Sequence, residues 1–485
     1  MPRPFIQLFQ TPRNQYVYDA NKNEFLPVSK EAFSFLLECV NGTADITSST
    51  LDEIQALREQ GYLKTESVVQ DIFHPYTPYL EDFLNRKIVQ ITLQLTQGCN
   101  LRCKYCVYSE EANTHQRSHS AKHMDWDMAK KTIDFLYNRS VDSREVAIGF
   151  YGGEPLLGFP LIKQSIRYAK QLFDGKKLLF TITTNGTLLT DEIIQFLDQE
   201  DVQVMISLDG PKEIHDKNRV FAGTGEGSFD TIMKNLNRVK ELAPKLYDRL
   251  QFSMVMDPSN DFDCINEITV STKDFNRHNL NAVIVETEYD DNNEVAFSEE
   301  YTWKARYQEF LALLSGFNRF PREKVSAISY GAFTALLSDS KYMDVFGPLR
   351  QIDVPSGPCI PGQMRLFVNA DGLLFPCERV SEKSKAMCIG SLDTGIDIEK
   401  ATKFLNVGAI TKEACRNCWC IRHCSICAKK ADDGTETLSP KVKLLHCENV
   451  RANAYEKLRQ LILLNELGVY YRDQLRMKEE FWNAD

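Results

Sequence analysis

Apolar and polar positions alternate in short runs between residues 88 and about 288, and each run is followed by a stretch with helical spacing. The short runs predict strands at 88–96, 145–151, 178–183, 202–207, 250–255 and 280–285. The stretches between them predict helices near 126–138, 160–173, 190–199, 228–242 and 261–275. Repeated strand–helix units form parallel strands joined by helical crossovers. Six units are too few to close an eight-stranded barrel, so we expect an α/β fold with a partial (β/α)6 barrel and chemistry at the carboxyl ends of its strands.

The first 85 residues have a different pattern and predict a separate module. Strand candidates at 5–9, 15–18 and 24–28 are divided by turn-forming residues, and helices are expected from about 29 to 40 and from residue 50. Three strands followed by two or three helices resemble the RiPP recognition element, a winged-helix-like domain whose edge strand captures a leader peptide. The alternative is a structural cap without a ligand.

The remaining pattern completes the domain organisation. We expect the module at 1–85, the barrel at 86–290, a connector at 291–355, a cysteine-rich domain at 356–450 and a C-terminal helix at 451–485.

The composition narrows the class of protein. The net charge of −10 and the absence of a basic stripe argue against nucleic acid as a partner. No run of eighteen apolar residues and no apolar leader is present, so we expect a cytoplasmic protein that does not bind membranes. Fourteen cysteines, most of them clustered in a chain without an export signal, indicate metal rather than disulfides.

Three cysteines directly after the first barrel strand carry the strongest chemical signal. Cys99, Cys103 and Cys106 have the spacing C-x3-C-x2-C. Three neighbouring thiolates can hold three irons of a [4Fe–4S] cube and leave the fourth iron open for a substrate or cofactor. Zinc is the alternative, although it usually takes paired C-x2-C units that close to four ligands. We interpret the nearby histidines as loop residues rather than ligands: His115, His119 and His123.

This spacing after a first strand resembles the radical S-adenosylmethionine (SAM) superfamily, in which the open iron binds the methionine end of SAM. The next strand ends in a Gly-Gly-Glu-Pro run at 152–155, which resembles a superfamily motif. The resemblance implies that a [4Fe–4S] cluster and SAM are cofactors. It implies that Gly152, Gly153 and Glu154 contact the amino group of SAM. It places Ser207 at the ribose or carboxylate of SAM and Arg219 at the carboxylate. Tyr105 is expected beside the adenine, and Asn185 is a further candidate contact at the end of the next strand. For Asn185 and Asp209, a role as turn formers is an equal alternative.

The C-terminal cysteines form an array that resembles the SPASM domain of radical SAM enzymes that modify peptides. The resemblance implies two auxiliary [4Fe–4S] clusters, one on Cys359, Cys377 and Cys427 and the other on Cys415, Cys418, Cys424 and Cys447. Cys388 and Cys420 are additional, and each either completes the first auxiliary cluster or is a structural thiol. If neither completes it, that cluster has an open iron that can bind a substrate thiolate. Zinc is the alternative for the quartet of Cys415, Cys418, Cys424 and Cys427 alone.

Residue 378 bears on the reaction. Anaerobic sulfatase maturases resemble this chain around Cys377 but carry an aspartate directly after it as the catalytic base. Here that position is Glu378, which keeps the carboxylate and displaces it by one methylene. The difference makes sulfatase maturation less favoured without excluding it.

The opening run 4–12, the three-cysteine site and the run 415–427 together resemble maturases of cysteine-rich peptides, the freyrasin-type ranthipeptide synthases. The resemblance implies thioether crosslinking, from cysteine sulfur to carbon, in a ribosomally synthesised Cys-rich precursor peptide through a 5′-deoxyadenosyl radical. The implied partners are that precursor, with its leader bound by residues 1–85, and a reducing donor such as flavodoxin or ferredoxin. The alternatives are another SPASM reaction, such as carbon–carbon crosslinking or formylglycine formation, and a non-catalytic iron–sulfur electron carrier.

Overall fold

The structure, a computed structural model, describes residues 3–108, 115–271, 279–285 and 295–468. The strands are β1 (Ile6–Gln10), β2 (Gln15–Asp19), β3 (Glu24–Val28), β4 (Asp71–Ile72), β5 (Gln90–Thr96), β6 (Leu101–Cys103), β7 (Glu145–Gly152), β8 (Lys177–Thr184), β9 (Gln203–Ser207), β10 (Arg219–Phe221), β11 (Gln251–Met256), β12 (Asn279–Ile284), β13 (Ile352–Asp353), β14 (Leu366–Val368), β15 (Leu373–Phe375), β16 (Gly390–Ser391) and β17 (Gly395–Ile396). The helices are α1 (Lys30–Asn41), α2 (Asp52–Glu59), α3 (Leu80–Arg86), α4 (Trp126–Arg139), α5 (Phe159–Leu172), α6 (Asp191–Gln199), α7 (Lys212–Asn218), α8 (Phe229–Leu242), α9 (Pro244–Asp248), α10 (Phe262–Ser271), α11 (Glu299–Gly316), α12 (Ala327–Phe346), α13 (Ile398–Leu405), α14 (Lys412–Arg416), α15 (Pro440–Leu445) and α16 (Cys447–Glu466).

Six parallel strands form the barrel wall in the order β5–β7–β8–β9–β11–β12, and helices pack on their outer side. The strands are rich in buried β-branched and aromatic residues such as Ile148 and Phe150, because helices cover one face and the barrel interior the other. Helix starts are capped by side chains, for example Asp125 before α4 and Thr190 before α6. The expectation of an α/β barrel fold is confirmed. The predicted helix at 261–275 corresponds to α10, and residues 272–278 lie outside the described residues.

The barrel sheet continues into the cysteine-rich domain. β14 pairs in parallel with β5, and β15, β16 and β17 follow as antiparallel strands, which makes a ten-stranded sheet. The hairpin that carries Cys377 is therefore fixed to the same strand that leads into Cys99. This connection brings the first and the last cysteine groups onto one scaffold.

The N-terminal strands β1, β2 and β3 form an antiparallel sheet. One face packs on α1 and α2 through residues such as Leu8 and Val17. The other face packs on α16, with Phe9 stacked on Tyr455 at 4.6 Å. The second apolar face of the sheet is thus buried against the C-terminal helix, while the first face has a core of its own. The expected division into domains stays a prediction.

The region expected to be a connector holds α11 and α12, which share a small core with the end of α16. The expected C-terminal helix begins at Cys447, and residues 469–485 lie outside the described residues. No helix among the described residues combines the length and apolar character needed to cross a bilayer.

Candidate functional site

Cys99, Cys103 and Cys106 lie together beyond the carboxyl end of β5. Cys103 ends β6, which pairs with β10 so that Arg219 stands opposite Cys103. Burial raises the pKa of Cys99 to about 11 and that of Cys103 to about 12, and the neighbouring Cys106 thiol adds to both increases. Without a metal these buried groups are therefore neutral thiols, so metal binding must release their protons.

Two glycines hold the end of β7 against the loop that carries Cys99. The N–H of Gly153 donates to the carbonyl of Thr96 at 2.9 Å, and the N–H of Glu154 donates to the carbonyl of Gly98 at 2.9 Å. A Cβ at Gly152 would overlap the Thr96 carbonyl, and a Cβ at Gly153 would overlap the Gly98 carbonyl. The close approach that these glycines permit is thus to the cysteine loop itself.

Glu154 is 0% exposed, and its carboxylate is fully engaged by the protein. It accepts hydrogen bonds from the Leu156 N–H at 3.0 Å, from the Thr184 hydroxyl at 2.7 Å and from the Asn185 N–H at 2.7 Å. Burial raises the pKa of Glu154 to about 7, although these donors oppose the rise. The family resemblance implied a contact between Glu154 and the SAM amino group. In the structure the side chain joins the ends of β7 and β8, and its contact with SAM stays a prediction.

Arg219 and Tyr105 meet at the buried carboxylate of Asp209, for which the sequence left a turn-forming role and a ligand role as equal alternatives. The Nε of Arg219 donates to Asp209 at 2.8 Å, the Tyr105 hydroxyl donates to the same oxygen, and the other oxygen accepts from the Val255 N–H at 3.0 Å. Burial opposes the charge of Arg219, but Asp209, Tyr105 and Cys103 together outweigh it and keep the pKa of Arg219 well above its ordinary value. Nη1 of Arg219 lies 4.0 Å from the Cys103 sulfur, so the guanidinium is beside the thiols.

Asn185 and Ser207 lie at the ends of β8 and β9. The amide nitrogen of Asn185 donates to Asn100 at 2.8 Å and lies 3.9 Å from the Cys99 sulfur. Its amide oxygen accepts from the backbone N–H and hydroxyl of Thr187, as a turn former does. Ser207 is half-buried at the last position of β9.

His119, which the sequence analysis interpreted as a loop residue, and Arg117, which it did not consider, both make contacts around this site. His119 Nε2 lies 3.8 Å from the Cys106 sulfur. The guanidinium of Arg117 covers the ring of Tyr108 at 3.8 Å and donates to Glu382 at 2.6 Å, which ties the segment after the cysteine loop to the C-terminal domain. No spacing rule could have found the Arg117–Glu382 pair, since the two residues are far apart along the chain.

Cys359, Cys377 and Cys427 line one cavity of about 220 Å³ in the C-terminal domain. Burial raises the pKa of Cys377 to about 11, followed by the effects of Glu378 and of the other two thiols. Cys388 lies apart from this group, with its sulfur 3.4 Å from the Gly390 carbonyl and facing a different cavity.

Cys415, Cys418 and Cys424 form a second group, in which the thiols of Cys415 and Cys418 both raise the pKa of Cys424 after the larger effect of burial. Cys420 is buried, and after burial the thiols that raise its pKa are those of Cys418, Cys424 and Cys447. Cys420 therefore lies with this second group, Cys388 lies apart from both groups, and neither lines the cavity of the first group. Of the two alternatives that the sequence leaves open for these cysteines, this placement favours the structural thiol.

Glu378 follows Cys377 and forms an ion pair with Arg365. Its side chain is buried, and within the described residues its Oε2 has no hydrogen-bond partner. After burial, the charge of Glu378 is the largest cause that raises the pKa of Tyr151 at the end of β7. The charge of Glu378 therefore acts on the end of a barrel strand, at Tyr151.

The fold and the three-thiol group define a class of protein. The family profile described as the radical SAM superfamily matches residues 93–268, which include the three cysteines and the strand ends β5, β7, β8 and β9. This part of the chain is a radical SAM domain.

Two named relatives match part of the chain. The chain is 36% identical over 145 residues to the serine-type anaerobic sulfatase-maturating enzyme of Bacteroides thetaiotaomicron, a match that covers 30% of this chain and 34% of that protein. It is 27% identical over 219 residues to the radical SAM cyclopropyl synthase TigE of Paramaledivibacter caminithermalis, covering 42% and 45% respectively. The matches thus span between about a third and a half of these relatives.

A solved structure shares the fold over more of the chain. It is described as native anSMEcpe with bound AdoMet and Cp18Cys peptide, with a TM-score of 0.56 and 20% identity, and the likeness covers 78% of this chain and 99% of that one. At this identity the likeness shows the fold alone.

A radical SAM domain implies a [4Fe–4S] cluster and SAM. The thiols of Cys99, Cys103 and Cys106 suit the cluster chemically, since they are grouped, buried and beside the Arg219 cation. Among the described residues, no three His, Cys, Asp or Glu side chains converge on a position for a single metal ion. A cubane cluster separates its thiolates more widely than one ion does, because each sulfur binds a different iron.

Proposed function

We propose that this protein is a radical SAM peptide maturase of the SPASM type that forms thioether crosslinks in a ribosomally synthesised Cys-rich precursor peptide. The observation that carries the proposal is the cavity shared by Cys359, Cys377 and Cys427, with Cys388 and Cys420 placed elsewhere. A cluster on three thiolates keeps an open iron, and an open iron can hold the substrate thiolate next to the carbon with which it reacts.

Cys99, Cys103 and Cys106 hold the SAM cluster in this proposal. SAM bound there supplies a 5′-deoxyadenosyl radical after one-electron reduction. The chain supplies the geometry: Gly152 and Gly153 fix the cysteine loop, while Asn185, Ser207, Tyr105 and the Arg219–Asp209 pair form the strand-end surface for SAM.

The crosslink removes one hydrogen from a peptide carbon and one from the cysteine S–H. The carbon hydrogen ends on 5′-deoxyadenosine, the thiol hydrogen leaves as a proton, and the carbon–sulfur bond releases one electron. That electron passes to an auxiliary cluster and then to a one-electron carrier, so the overall reaction consumes SAM and balances.

The remaining partners follow the same proposal. Residues 1–85 bind the leader of the precursor, a flavodoxin or ferredoxin supplies the reducing electron, and the reaction takes place in the cytoplasm. Cys415, Cys418, Cys424 and Cys447 hold the second auxiliary cluster.

Formylglycine formation is the second candidate. The sulfatase-maturating relatives favour it, and so does Glu378, whose buried Oε2 lacks a hydrogen-bond partner within the described residues. An aldehyde product distinguishes this reaction from a thioether.

Co-expression with a Cys-rich precursor peptide, followed by mass spectrometry, tests the proposal. Each crosslink should lower the peptide mass by two hydrogens and protect one cysteine from alkylation, and a cysteine-to-serine peptide should keep its mass. A serine peptide that still loses two hydrogens contradicts thioether formation. If that product reacts with a hydrazide probe, it is formylglycine.

Anaerobic reconstitution with SAM and a reductant tests the cluster assignment. Cys99→Ala, Cys103→Ala and Cys106→Ala should abolish release of 5′-deoxyadenosine, whereas Cys264→Ala, at an exposed cysteine outside all three groups, should retain it. Cys415→Ala and Cys447→Ala should lose iron and crosslinking while some SAM cleavage persists. Release at the wild-type rate from any of the first three variants would remove the assignment.

A further inference from the structure

Lys443 is a buried cation that the proposed reaction has not used. It lies on α15 and is 1% exposed. Its Nζ donates to the Thr411 hydroxyl at 2.6 Å and to the Cys415 sulfur at 3.2 Å, and the Thr411 hydroxyl is itself 3.3 Å from that sulfur. Among the ion pairs of the described residues, none joins Lys443 to a carboxylate.

A buried ammonium without a counter-charge is costly, because burial removes its hydration. The group that faces Lys443 is a thiol, which offers a full negative charge only as a thiolate. A thiolate bound to an iron–sulfur cluster has that charge permanently, so the lysine is balanced when Cys415 is a cluster ligand.

The same cysteine group has a second cation. Burial raises the pKa of Cys418, and a hydrogen bond with the Cys420 backbone and then the charge of Arg451 lower it. Lys443 also acts electrostatically on Cys424, whose pKa it lowers against the effect of burial. Positive charge is therefore directed at several ligands of one site, and not at Cys415 alone.

Net charge and hydrogen bonds to the sulfurs set the reduction potential of an iron–sulfur cluster. Reduction adds one negative charge, which a fixed cation a few ångströms away stabilises more than it stabilises the oxidised form. We propose that Lys443 is the counter-charge of the cluster on Cys415, Cys418, Cys424 and Cys447, and that it raises the potential of this cluster so that the cluster accepts the electron released by the crosslink.

This inference rests on the proposed function and specifies the electron acceptor. Cys424 and Cys427 are three residues apart and belong to different groups, so the two auxiliary sites adjoin. The electron lost by the peptide at the first site reduces the second cluster by one electron. An oxidised flavodoxin or ferredoxin then takes that electron.

The test is a redox titration of the reconstituted full-length protein, followed by electron paramagnetic resonance. Lys443→Met and Lys443→Gln remove the charge, and Lys443→Arg keeps it. Lys441→Met is the matched control, because Lys441 is exposed and lies on the same helix. The signal of the second cluster is identified by its loss in Cys415→Ala and Cys447→Ala, and iron is counted in every sample.

We expect the neutral variants to keep their iron. The equilibrium constant for reduction of this cluster should fall at least about tenfold in them, which for one electron lowers the potential by about 59 mV. Lys443→Arg and Lys441→Met should resemble the wild type. An unchanged potential in a neutral variant with full iron overturns the role of Lys443 but not the proposed function. Loss of iron from both neutral variants but not from Lys443→Arg supports the counter-charge, whereas loss from all three shows a packing role and overturns it. A wild-type protein without the second cluster overturns the cluster assignment of the proposed function instead.

Discussion

Gly153 determines where the cysteine loop lies, because its backbone touches the carbonyl of Gly98 with no room for a side chain. The loop then extends from a fixed point into Cys99. A one-carbon change at Gly153 should therefore act on a cluster that the residue does not bind.

We expect Gly153→Ala to lower iron occupancy at the SAM cluster and SAM cleavage by about 100-fold, since a shift of about 1 Å in a reacting geometry has that cost. Iron content and 5′-deoxyadenosine release measure the effect. Gly331→Ala is the control, because Gly331 lies on α12 with open space where its Cβ would be. Full iron and normal cleavage in Gly153→Ala would contradict the role of this contact.

Glu154 should make stability depend on pH. Its folded pKa of about 7 lies above its ordinary value of 4.5, so the folded state binds a proton that the unfolded state has lost between these values. Its contribution is therefore complete below pH 4.5 and falls as pH rises toward 7, by about 3 kcal/mol in total. Urea unfolding of the wild type and Glu154→Gln at several pH values measures the difference, and a difference that is constant over this range would contradict the prediction.

The local spacing of Cys99, Cys103 and Cys106 was enough to predict their grouping, because all three follow β5 within a short stretch of chain. The role of Glu154 was not predictable in the same way. Its partners Thr184 and Asn185 are about thirty residues later, and only the pairing of β7 with β8 brings them together.

At the scale of elements, the barrel was predictable because each strand and helix has enough residues to show its period. β14 has only three residues, which is too short for a period, and its parallel pairing with β5 could not be predicted. This pairing matters for function, because it aligns the hairpin of Cys377 with the strand of the SAM cluster.

Phe367 at the centre of β14 should therefore stabilise more than its own strand. It is buried, and its ring meets Tyr151 edge to face at 6.3 Å at the end of β7. We expect Phe367→Ala to lower the free energy of unfolding by about 3–5 kcal/mol, as large core truncations do. Trp303→Ala is the control, because Trp303 is 68% exposed and should change stability by no more than about 0.5 kcal/mol. Equal losses in the two variants would show that β14 does not anchor the domain.

At the scale of the whole molecule, the N-terminal sheet is bound to the C-terminal helix. Its strands contain consecutive apolar pairs, Leu8–Phe9 and Val17–Tyr18, and both members of each pair are buried. Such pairs indicate a sheet that is buried on both faces, and the sequence analysis did not use this signal. Deleting residues 1–85 would expose Leu458 and Ile462 on α16, so a deletion tests stability as well as peptide binding.

A photocrosslinking experiment tests peptide binding separately from stability. If the leader adds a strand to this sheet, the free edge is that of β3. The other edge strand, β1, starts beside Lys64, whose carbonyl accepts from the Phe5 N–H at 2.7 Å, and near its end Thr11 donates to Glu466 of α16. Pro27 lies exposed on β3 and has no N–H, which is typical of an edge strand.

We therefore expect benzoylphenylalanine at position 27 to capture the precursor under ultraviolet light, with capture lost when the leader is removed from the peptide. The same group at Gln10, on β1, and at Trp303, on an exposed face of α11, should capture several-fold less. Main-chain pairing gives affinity along one edge only, so a crosslinker on that edge should meet the peptide far more often than one elsewhere. Equal capture at Pro27 and Trp303 would contradict leader binding by the sheet, and stronger capture at Gln10 would assign it to the opposite edge.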